Sequence, residues 1–63
     1  MSEESYGERI EAARKARGWS RKELGRRVDR TSMTVFSWER QGRIPYTAVR
    51  RKLEELLGVE PPK

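Results

Sequence analysis

A chain of 63 residues with neither cysteine nor histidine excludes a disulfide-stapled scaffold and the common zinc sites. It leaves room for one small domain held by its own apolar core, near the lower size limit for folding without staples. Charged residues make up 40% of the chain and the net charge is +5, with a pI of about 10.2; no group of carboxylates suggests a cage for a hard metal ion.

The sign of the charge is segregated. Glu3, Glu4, Glu8 and Glu11 dominate the first residues, and Glu54, Glu55 and Glu60 the last. Residues 14–53 hold thirteen Lys and Arg against Glu23, Asp29 and Glu39, a net charge of +10 for that segment. Most of these cations are arginine, whose planar fork suits phosphate. Such a surface fits nucleic acid, an anionic membrane or an acidic protein, and it also fits a merely well-solvated exterior. No apolar run is long enough to span a bilayer. The start, MSEES, is acidic and polar, unlike a secretory signal, so the expectation is a cytoplasmic protein with no membrane partner.

Ser5-Tyr-Gly-Glu8 and Ser20-Arg-Lys-Glu23 both match the capping-box pattern, and each marks a helix start. The first helix is predicted from about Tyr6 to Arg17, with Tyr6, Ile10 and Ala13 inward and Gly18 as its stop. The second runs from Arg21 to about Val28 and buries Leu24 and Val28; Gly25 inside it is expected to let another helix approach closely. Asp29-Arg30 is a short break, and Thr31 is the natural N-cap of a third helix through about Arg40. Gln41 to Pro45 is a loop carrying both Gly and Pro. A fourth helix, from about Thr47 to Leu57, buries Val49, Leu53, Leu56 and Leu57 before Gly58 and the Pro61-Pro62 pair. No segment alternates with period two. The fold class is all-α, a compact bundle of four short helices over residues 5–59, with residues 1–4 and 60–63 as flexible ends.

The third helix carries more apolar residues than one buried stripe needs. At 100° per residue with Val35 central to the buried face, Trp38 and Glu39 fall within roughly 60° of it. Met33, Ser37 and Arg40 lie near the opposite side, and Phe36 on the border. An outward surface of Ser32, Met33, Phe36, Ser37 and Arg40 mixes hydroxyl, apolar and cationic groups, the chemistry that meets base edges and thymine methyls in a major groove. The same residues would equally cover a neighbouring helix or a partner protein.

Taken together, Ser20-x-x-Glu-Leu24-Gly25, Thr31-x-x-Thr-Val35, Trp38-Glu39-Arg40, the Arg43-x-Pro45 loop and the Leu57-Gly-Val59 ending resemble the Cro-like phage-repressor helix-turn-helix family. The likeness extends over Tyr6–Val59. It implies a lambda-repressor-like bundle in which helices 2 and 3 form the helix-turn-helix and helix 3 lies in the major groove of double-stranded DNA. It assigns base contacts to Ser32, Met33, Phe36 and Ser37. Phosphate contacts fall on Arg21, Arg40 and Arg43, together with Thr31 at the helix end nearest the DNA. It also implies a partly buried structural salt bridge between Arg14 and Glu39. From the residues themselves, Arg21 stands at a helix N-terminus, where backbone N–H groups also favour an anion.

Departures from the family pattern shape the expectation. Arg21 replaces a frequent Gln, Asp29 a small turn residue, Arg30 an apolar one, and Gly25 an Ala, the last loosening helix 2 by up to about 1 kcal/mol. A base-facing surface leaning on Met33 and Phe36 favours methyl contact and shape, hence A·T-containing steps. The expected function is sequence-specific DNA binding, as a transcriptional regulator or an engineered binder on this scaffold, acting as a monomer or as a weak homodimer formed on DNA. A natural source would be bacterial or phage-encoded. No cofactor, small-molecule substrate or enzymatic activity is expected. The alternative is a protein-interaction module, such as an antitoxin-like partner, anchored by Met33 and Phe36.

Overall fold

A computed structural model of the protein describes residues 5–60. Four helices and no strand occur among them: α1 (Tyr6–Ala16), α2 (Arg21–Arg27), α3 (Ser32–Arg40) and α4 (Thr47–Leu57). The chain is all-α, and α1 and α2 each end one residue short of the predicted boundary. Apart from exposed Glu60, the expected flexible ends lie outside the described residues.

The caps explain the boundaries. At α1, the Ser5 hydroxyl accepts from the Glu8 N–H while the Glu8 carboxylate accepts from the Ser5 N–H, a complete capping box. At α2 only half of the box forms. The Ser20 hydroxyl accepts from the Glu23 N–H, but the Glu23 carboxylate turns along the helix to Arg26 and Arg27. Two cations in the last turn of a seven-residue helix outcompete one backbone N–H for that carboxylate. Thr31 caps α3 by accepting from the Thr34 N–H, and α4 ends at Gly58 in the left-handed conformation.

The core gathers one face from every helix. Ile10, Leu24, Val28, Val35 and Leu53 are its most completely buried side chains, ringed by Tyr6, Trp38, Val49 and Leu57. Val59, just beyond α4, is also buried, and Ala13, Trp19 and Leu56 close the edges. Helix α3 packs against both α1 and α2, while α4 packs across α1.

Two glycines set how closely these elements approach. A Cβ on Gly7 would collide with the carbonyl oxygen of Trp38, so α1 and α3 touch there backbone to backbone. A Cβ on Gly25 would lie 2.6 Å from the Arg30 carbonyl oxygen. The close neighbour of Gly25 is therefore the turn leading into α3, rather than another helix. The turn is tied back at the same point, because the Arg30 N–H donates to the Gly25 carbonyl at 2.7 Å. In this chain Gly25 is thus required by packing, which reverses its reading as a weak point. Within the turn, Asp29 takes φ 61°, the one positive-φ residue other than glycine among the described residues. Aspartate tolerates that conformation better than most side chains.

Candidate nucleic-acid interface

Helix α3 is held by its buried side. Val35, Trp38 and Glu39 face inward, leaving the remaining positions to solvent or to the helix borders. Glu39 is the anchor. Its carboxylate accepts from Arg14 Nε at 2.8 Å and Arg14 Nη2 at 3.2 Å. It also accepts from Arg21 Nε at 2.8 Å. The third Arg14 nitrogen, Nη1, donates to the Trp19 carbonyl at 2.8 Å. One buried guanidinium therefore fastens α1, the α1–α2 turn and α3 together. Both Arg14 and Glu39 are buried rather than partly buried.

Arg21 is more engaged than the sequence suggests. Besides Glu39, it lies 3.5 Å from Glu11, and its guanidinium sits 5.1 Å from the centroid of the Phe36 ring. Phe36 is consequently half-buried beneath that guanidinium. Arg40 is exposed but pairs with Glu11 at 2.9 Å. Arg43 is exposed in the α3–α4 loop and makes no ion pair among the described residues.

On the outward side of α3, Met33 is 72% exposed and Ser32 is exposed at the first turn, beside the Thr31 cap. Ser37 is half-buried, and its hydroxyl donates to the Thr34 carbonyl at 2.6 Å, leaving its lone pairs as the outward-facing chemistry. The Arg43 N–H donates to the Ser37 carbonyl at 3.2 Å, which folds the loop back against α3. A shallow groove results, with Met33 and Ser37 on one wall and Arg43, Ile44 and Tyr46 on the other. Met33, Ser37 and Arg43 line one groove, while Ser32, Met33 and Phe36 line a second depression with Arg21 and Arg40, so that Met33 stands between the two.

Three features escape the sequence reading. Ile44 and Tyr46 are large apolar residues left 50% and 82% exposed on the loop beside α3; their place after a Gly-containing loop was the available signal. Glu11 gathers Arg40, Lys15, Arg21 and Arg14, and only its i,i+3 and i,i+4 partners were legible on one helix. Trp19 carries the Arg27 guanidinium 4.2 Å from its ring centroid, a pairing between α2 and the preceding turn.

A short second helix, a four-residue turn and a third helix presenting a polar, partly apolar face beside a cationic loop define a helix-turn-helix domain. The sequence pattern of the helix-turn-helix family matches residues 10–63, and the chain belongs to that family, in its Cro/C1-type form. Over 56 residues the chain is 32% identical to multiprotein-bridging factor 1 of Schizosaccharomyces pombe, a match covering 89% of this chain and 38% of that protein. The chain thus spans less than half the length of that relative. No solved structure matches it. Among the described residues, no helix is long and apolar enough to cross a membrane.

Proposed function

We propose that the protein is a sequence-specific double-stranded DNA-binding regulator, or an engineered binder of the same kind, that lays α3 in the major groove. The single observation carrying this reading is the surface of α3 itself. Exposed Met33 stands between Ser37 and Arg43 on one side and Ser32, Phe36, Arg21 and Arg40 on the other, on a domain whose family fold uses that helix for recognition. In this reading Ser32, Met33, Ser37 and the exposed edge of Phe36 meet base edges. Arg43 and Thr31 meet phosphate directly, and Arg21 and Arg40 do so after loosening from Glu11. The protein works without a cofactor or catalysis, in the cytoplasm, as a monomer or as a weak homodimer assembled on DNA.

A second reading has its own observation. Met33, Ile44 and Tyr46 form an exposed apolar strip along one groove, a pattern that also suits protein docking. The relative's name, multiprotein-bridging factor, agrees with it. The anchors then differ from those expected from sequence, because Phe36 lies under Arg21. Selection of bound duplexes from a random pool separates the readings: DNA recognition yields a consensus, and protein docking yields none.

A further inference from the structure

The two buried or half-buried carboxylates on the α1–α3 seam do different work. Glu39 has no exposed side-chain surface and is held by Arg14 and Arg21. Glu11 sits at the rim. Its Oε2 atom alone faces Arg40 Nη2 at 2.9 Å, Lys15 Nζ at 3.5 Å, Arg21 Nη2 at 3.5 Å and Arg14 Nη2 at 3.9 Å. The side chains of Arg40 and Lys15 are 55% and 64% exposed, so both heads are free to swing toward another anion. Four cations face two carboxylates here, leaving a local net charge of +2. The depression they share with Ser32 and Phe36 opens along α3.

From this geometry we propose that Glu11 is an internal competitor for the DNA backbone. It holds Arg40, Lys15 and Arg21 in the free protein and gives them up to a phosphate group when duplex binds. The inference rests on the DNA-binding reading above and names the residue that sets the strength of that same site. One carboxylate oxygen has too few lone pairs to satisfy four cationic heads, whereas a phosphate brings several acceptor oxygens. An ion pair whose cation is open to solvent, as Arg40 is in its pair with Glu11, holds weakly and exchanges readily. The sign of the effect is diagnostic. A glutamate that merely orients Arg21 and Arg40 for phosphate weakens DNA binding when it is removed; a competitor strengthens it.

The test uses the full chain and a fluorescently labelled duplex of mixed sequence, followed by anisotropy across a salt series. Glu11→Gln binds roughly five-fold more tightly at low salt, the factor for one unit charge about 4 Å away in water. Equal or weaker binding by folded Glu11→Gln overturns the proposal. A second measurement needs no substitution. The Glu11 carboxylate is titrated by NMR in the wild-type protein, free and saturated with duplex. Loss of its cations raises its pKa on binding, and an unchanged or lower value overturns the proposal even if Glu11→Gln does not fold. Arg43→Ala keeps the two levels apart. If wild type binds and Arg43→Ala binds more weakly while Glu11→Gln is unchanged, the DNA reading stands and the competitor role falls. If wild type fails to bind any duplex at low salt, the DNA reading falls first.

Discussion

Arg14 grips Glu39 through two nitrogens, Nε to Oε2 at 2.8 Å and Nη2 to Oε1 at 3.2 Å, inside the seam between α1 and α3. A fully buried carboxylate persists there because three N–H groups from two arginines replace the water it has lost. Removing the carboxylate strands the Arg14 charge in the seam. Glu39→Ala is expected to cost about 3–5 kcal/mol, comparable with the whole stability of roughly 3–5 kcal/mol that a single small core supplies. The variant should be largely unfolded at 25 °C by circular dichroism. Arg21→Ala, which leaves Arg14 on Glu39 and removes a partly exposed partner, should cost about 1 kcal/mol or less.

The contact of Gly7 with the Trp38 carbonyl and that of Gly25 with the Arg30 carbonyl set two physical effects against each other. Helix propensity alone predicts that Gly→Ala stabilises each helix by about 0.5–1 kcal/mol. Overpacking against backbone predicts a loss of about 1–3 kcal/mol. Backbone cannot move aside as a flexible side chain can, so the loss wins at both sites. Denaturant melts of Gly7→Ala and Gly25→Ala should show lower midpoints, with Gly7→Ala the worse because its contact is the closer. A stabilised variant at either site would show that the seam is looser than described.

Stability should fall on both sides of neutral pH, for different groups. On the acid side, three carboxylates lie below their ordinary value of 4.5. Glu8 is lowered by its hydrogen bonds to Ser5, and Glu23 by its hydrogen bond to Arg26. At Glu11, burial opposes ionisation, but Arg40, Lys15 and Arg21 outweigh it. A depressed carboxylate stabilises the fold above its unfolded value, and that stability is lost as pH falls through the folded value. Tyr6 behaves oppositely. Burial raises it above 10.0, against the pull of Arg50 and Arg9, so stability is lost as pH rises from the ordinary tyrosine range through the higher folded value. Melting temperatures should be nearly level between about pH 5 and 9 and decline beyond either end. Glu11→Gln should make the acid decline shallower and leave the alkaline one unchanged.

Much of the fold is legible in the sequence because the signals are local. Ser5, Ser20 and Thr31 announce helix starts, and Gly18 and Gly58 announce ends. The i, i+4 spacing identifies Leu24 with Val28 and Val49 with Leu53 as core. The wheel of the third helix separates buried Val35, Trp38 and Glu39 from exposed Met33. What stays hidden depends on residues far apart in the chain. Gly7 looks like a weak helix residue until the Trp38 carbonyl lies over it. Arg21 looks free until Glu39, eighteen positions away, accepts its Nε–H. Phe36, on the border of the wheel, is settled only by the guanidinium above it. The exposure of Ile44 and Tyr46 follows from the path of a loop that no periodicity specifies.

Under the proposed function the outward side of α3 reads base pairs. Selection of duplexes from a random pool at physiological salt tests it most directly, run on the wild-type protein, Met33→Ala, Ser37→Ala and Arg43→Ala. The wild type should yield a consensus containing A·T steps, and Met33→Ala and Ser37→Ala should each shift the preferred pair at one position, at a cost of about 1–3 kcal/mol there. Arg43→Ala should keep the consensus, bind every duplex more weakly and lose about 0.9 of the salt slope. A pool left unenriched, or one consensus unmoved by the changes at Met33 and Ser37, would contradict the claim.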